Sequence, residues 1–131
     1  MALSALAQEK VLKSLDDKAA FYGDIAKQIW SNPELGYLEA ESSALLQRTL
    51  QEAGFKVTVG VAEIPTAFVA EYGSGKPVIG IMAEFDALPG VSQQAVPFRQ
   101  PVVEGGAGHA CGHHLFGAAS VAAGISVMEW M

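Results

Sequence analysis

The hydrophobic pattern changes period at Gly54, and that change points to a mixed fold class. Before it, Leu12, Leu15, Ala19, Tyr22, Ala26 and Ile29 recur at helical spacing, with Lys10, Lys13, Asp17, Lys18, Asp24 and Lys27 mostly on the other side. This predicts an amphipathic helix from about Ser4 to Trp30. Ser31-Asn32-Pro33 stops it, because a residue before proline is pushed out of the α region. A second helix is expected from about Leu38 to Ala53, with Leu46, Leu50 and Ala53 inward and Gly54 as its left-handed cap. After Gly54, Phe55, Val57, Val59 and Val61 alternate with Lys56, Thr58 and Gly60, the period of a half-buried strand.

A short strand over about Ala67 to Tyr72 then leads through Gly73-Ser74-Gly75-Lys76-Pro77, a link of hairpin length, into Val78-Ile79-Gly80-Ile81-Met82-Ala83. That run has no alternation, which predicts a strand covered on both faces. Leu115 to Trp130 is apolar nearly all round and carries Ala118, Ala119, Ala122, Ala123 and Gly124, so it is expected to be a buried helix. The class is therefore α/β: two N-terminal helices, about three strands, then a buried helix. Three strands are few for a sheet with a covered central strand, and the last helix reaches Met131 without a cap or polar tail, so the expectation is one incomplete domain over residues 1–131.

Three histidines and the only cysteine fall within Gly108-His109-Ala110-Cys111-Gly112-His113-His114. Cys111 and His113 would diverge on a helix, but a turning loop with glycines at 108 and 112 can aim thiolate and imidazole at one point. The helix that follows points its positive end at the turn, which favours the thiolate. Thiolate with imidazole suits zinc, or manganese and cobalt where carboxylates complete the set. The competing readings are a small buried cysteine among ordinary loop histidines, a Cys-His nucleophile pair, and a redox-responsive thiol. Glu84 and Asp86, two apart at the end of the apolar run, point to one side where open α/β sheets place ligand crevices. A carboxylate that orients a ligating histidine is the role expected there. Glu104 reads as solvated charge, and the connection from Ala87 to Gly108 is long enough to be functional or disordered.

Fourteen acidic against eight basic residues, net -6, argue against nucleic-acid or anionic-membrane partners. Leu115 to Met128 is shorter than the roughly 20 residues of a membrane span. The mixed charges of Met1 to Leu15 do not resemble a signal peptide, and one cysteine forms no internal disulfide, so a cytoplasmic protein is expected.

Ala83-Glu84-Phe85-Asp86-Ala87-Leu88-Pro89-Gly90 followed by Gly108-His109-Ala110-Cys111-Gly112-His113 resembles the paired motif of the metal-dependent amidohydrolases that include aminoacylases, indole-acetyl-amino-acid hydrolases and carboxypeptidase-like enzymes. The similarity extends through Ile29 to Glu34, Ala53-Gly54-Phe55, Gly75 to Val78, Ser92-Gln93-Gln94 and Trp130. The resemblance implies the N-terminal part of a three-layer α/β/α, zinc-peptidase-like catalytic domain, without the smaller dimerisation domain. It implies a centre of two divalent ions, zinc or manganese, with Cys111 and His113 as metal ligands and Asp86 as the supporting carboxylate. The implied substrate is a small-molecule amide joining an acyl or aminobenzoyl group to an amino acid, and the complete enzyme would be a homo-oligomer or heteromer. Two positions depart from the family: His114 stands where Asp is common, and Glu84 stands where related branches have a histidine ligand, so neither is assigned as a ligand. The general base and remaining ligands would lie beyond Met131, and the isolated chain is expected to be inactive. The alternative is a noncatalytic truncated product or assembly module with weak metal binding.

Overall fold

A computed structural model describes residues 5–131, so the expected helix start at Ser4 lies outside the described residues. The chain is mixed α/β: helices α1 (Ala5–Asp17), α2 (Ala19–Ser31) and α3 (Ala40–Glu52), strands β1 (Lys56–Val59) and β2 (Phe68–Glu71), and helix α4 (His113–Trp130). The single long helix expected at the start is two. Lys18, with φ -102° and ψ 5°, breaks it. The apolar spacing continues through the break, so periodicity does not reveal it. At the joint, Ser14 Oγ donates to Glu129 Oε2 of α4 at 2.6 Å, and the Lys18 ammonium pairs with the same carboxylate. The hydrogen bond from Lys18 is the main reason Glu129 titrates below the ordinary carboxylate range, and it raises Lys18 in turn.

The core forms where α2, α3 and α4 meet. Ile25, Ile29, Leu46, Leu50, Ala118, Val121, Ala122 and Ile125 fill it, with Leu46 fully buried and Ile29 1% exposed. β1 and β2 are antiparallel, in register Val57 opposite Ala70, and Phe55, Val57, Phe68 and Ala70 turn one face of the ribbon onto the core. Gly54, at φ +95°, ends α3 in the conformation expected of it. On α1 the burial differs from the simple stripe, since Leu12 is exposed while Leu15 packs against the core.

The run from Val78 to Ala83 overturns the expectation of a strand covered on both faces. It is assigned to no strand, β2 pairs only with β1, and Val78 and Met82 are 84% and 74% exposed. Hydropathy records a preference for burial, but a strand also needs neighbours to bond with, and none pairs here among the described residues. The hairpin expected across Gly73 to Pro77 is absent for the same reason. Similarly, α4 buries only the face of Gly117, Ala118, Val121, Ala122, Ile125 and Ser126, leaving Leu115, Phe116 and Trp130 exposed. Among the described residues, no helix is long and apolar enough to cross a membrane.

The connection from Ala87 to Gly108 is neither helix nor strand, yet it closes on itself. Leu88 and Gly108 exchange two backbone hydrogen bonds of 2.9 and 3.0 Å, and Ser92 N–H donates to Gly106 O. Within it, Gln93 donates to Phe98 O and accepts from Gln100 N–H. These bonds bring the end of the Glu84–Asp86 segment beside the start of α4.

Candidate metal centre

A backbone contact at the next residue places Asp86. Ala87 N–H donates to Glu34 O at 2.7 Å, so the segment lies parallel to Leu35. Glu34 is itself fixed, because its carboxylate accepts from Glu41 N–H, Ser42 N–H and Ser42 Oγ at 2.7 to 3.0 Å and caps the start of α3. Burial raises the Glu34 carboxyl, but the bonds from Ser42 and Glu41 outweigh it and hold the group below its ordinary value. Upstream, Ser120 Oγ of α4 donates to Met82 O at 2.9 Å. An added Cβ at Gly117 would sit 3.2 Å from Phe85 Cβ, so glycine there lets α4 approach the segment closely.

His113 opens α4 after Gly112, whose φ of +78° turns the chain into the helix. Its ring lies between two carboxylates, with Nδ1 2.8 Å from Asp86 Oδ1 and Nε2 3.0 Å from Glu84 Oε2. The three groups each offer a ligand atom, all within 4.8 Å of one another. With Nδ1–H donating to Asp86, a neutral ring presents a lone pair at Nε2 toward Glu84. Two acceptors then face each other, and either a proton or a cation between them satisfies both. Nitrogen and oxygen donors of this kind fit a borderline or hard divalent ion.

Of the residues singled out from the sequence, Asp86 and His113 come together and Glu84 joins them. Its i, i+2 spacing from Asp86 was the available signal, but its departure from the family pattern argued against it as a ligand. Cys111 is exposed in the turn ahead of α4 and stands outside this set. Glu104 pairs with Arg99 at the surface, at 2.9 Å with both side chains largely exposed. The remaining histidines lie behind the turn. His109 Nε2–H donates to Ile29 O at 3.1 Å, the His109 and His114 ring centroids are 5.1 Å apart, and both Nδ1 atoms are buried without a partner. Burial lowers the pKa of both rings.

The chain is 50% identical over 112 residues to a p-aminobenzoyl-glutamate hydrolase subunit of Escherichia coli, covering 84% of this chain and 23% of that protein. The chain is a homologue of amide-bond hydrolases and peptidases. It is 36% identical over 107 residues to thermostable carboxypeptidase 2 of Saccharolobus solfataricus, covering 80% of this chain and 26% of that one. With N-acetylcysteine deacetylase of Bacillus subtilis it shares 34% identity over 92 residues, 69% of this chain and 23% of the other. No protein-family profile matches. The matched stretch is thus about a quarter of the length of these relatives.

Proposed function

We propose that this chain supplies part of the metal centre of an amidohydrolase that cleaves an amide between an acyl or aminobenzoyl group and an amino acid. The observation that carries this reading is the His113 imidazole held between Asp86 at 2.8 Å and Glu84 at 3.0 Å. Asp86 fixes the tautomer and ring orientation, so that Nε2 is the nitrogen left to bind an ion. His113 is the first ligand, Cys111 in the same turn is the soft donor, and Glu84 is the carboxylate that meets the ion from the other side. A bound zinc or manganese ion would polarise the amide carbonyl and lower the pKa of water. Among the residues of this chain, Asp86 orients the His113 ligand.

Two donors from one turn and one from the Glu84–Asp86 segment leave room for ligands from elsewhere in the complete enzyme, where two ions are expected. The general base is sought there as well, and the 131-residue chain alone is expected to be inactive. The Escherichia coli relative is named as a subunit, which supports an oligomeric or heteromeric assembly. A noncatalytic assembly module is the second reading, favoured by the exposed apolar run at Val78 to Met82.

Calorimetric titration with zinc and manganese tests the proposal. Binding to the wild-type chain should weaken by about tenfold or more in both His113→Ala and Cys111→Ala. Equal binding by all three chains would contradict the ligand assignment. Turnover of p-aminobenzoyl-glutamate by the isolated chain would contradict its expected inactivity.

A further inference from the structure

The turn that carries Cys111 and His113 is tied down on two sides. Its start is held by the paired hydrogen bonds of Gly108 with Leu88. Glycine is needed at 108, because an added Cβ would run into the Val91 carbonyl. Beyond Gly108 the chain leaves that pairing, and Ala110 and Cys111 are exposed. The tie reaching from this stretch to the core is His109.

We propose that His109 is a positioning residue, whose Nε2–H bond to the Ile29 carbonyl anchors the turn to the end of α2 and so sets His113 against the carboxylates. The proposal rests on the metal-centre reading above. Ile29 is a rigid anchor point, 1% exposed, and its carbonyl lies in the last turn of α2, where helix carbonyls lack partners within the helix. Asn32 N–H reaches the same oxygen at 3.2 Å, so His109 supplies its second hydrogen bond. A neutral imidazole has one N–H, and here it is spent on Ile29, which leaves Nδ1 as the buried lone pair observed without a partner. The ring also packs beside His114, the residue next to His113 on α4. A side chain that fills the space without an N–H keeps the packing and loses the tie. One that keeps the N–H without the ring does the reverse.

His109→Phe and His109→Gln separate these two contributions in the full chain. Two readings are taken: zinc affinity by calorimetry, and the ring-nitrogen NMR signals of His113 in the metal-free protein. Zinc binding should weaken by about tenfold or more in His109→Phe and return to within about threefold of wild type in His109→Gln. The His113 signals should move in His109→Phe and return in His109→Gln. Wild-type affinity with unmoved His113 signals in His109→Phe would overturn the proposal, as would an equal loss in both variants. If His109→Phe does not fold, His109→Gln decides alone, since a loss of about tenfold there overturns the donor role and retention supports it. If the wild-type chain binds no zinc, the metal-centre reading fails. The metal-free His113 signals then still decide whether His109 positions the turn.

Discussion

The apolar residues of α2 and those of Val78 to Met82 have similar hydropathy and opposite fates. Ile25 and Ile29 are almost wholly buried, whereas Ile79 and Ile81 are 64% and 44% exposed. A helix satisfies its own backbone and needs only one surface to pack against, and α3 and α4 provide it. An extended segment needs a partner for its backbone as well as its side chains. The same contrast continues along the segment itself. Its first part is largely unsupported, while Glu84 to Ala87 is held by His113, Glu34 and the close approach of α4 at Gly117.

Substitutions in the two regions should therefore differ most in stability. Leu46→Ala, in the fully buried centre of the core, should cost about 2–5 kcal/mol in denaturant unfolding. Ile79→Ser should change it by no more than about 0.5 kcal/mol. A cost near that of Leu46→Ala would mean that the exposed segment packs in solution.

A smaller effect is expected at Glu34, which fixes the supported end. Its pKa is lowered in the folded chain, so its contribution is present above the ordinary carboxylate value and is lost as pH falls through the folded pKa. Glu34→Gln should lower stability at neutral pH by about 1–3 kcal/mol and flatten the acid limb of the stability curve. An unchanged acid limb would show that the cap at α3 carries no linked protonation.

The smallest effect should come from Lys18→Met at the joint of α1 and α2. The Lys18–Glu129 pair is more than a third exposed on both sides, which limits it to about 0.5 kcal/mol. Salt should reduce the difference between wild type and variant, and salt independence would count against an ionic contribution.

Legibility in the sequence follows the same division. The second helix, its glycine cap and the β1 alternation are readable because each depends on neighbours within a few residues. The split at Lys18 is not, because the apolar spacing runs through it without interruption. Val78 to Ala83 misleads because hydropathy states a need for burial without stating whether anything meets it. The candidate site is partly legible. The spacing of Glu84 and Asp86 puts two carboxylates at one segment end, and Gly112 marks the turn before His113. That these meet, and that Glu84 rather than Cys111 completes the observed set, depends on how closely α4 approaches the segment.

The central claim is that Asp86 holds His113 by Nδ1 so that Nε2 serves a cation. Nitrogen-15 NMR of the His113 ring during zinc titration tests it most directly. The account predicts that Nδ1 stays protonated throughout and that the Nε2 signal moves as zinc is added. A His113 ring unmoved at saturating zinc, or one in which Nδ1 is the nitrogen that responds, would contradict it.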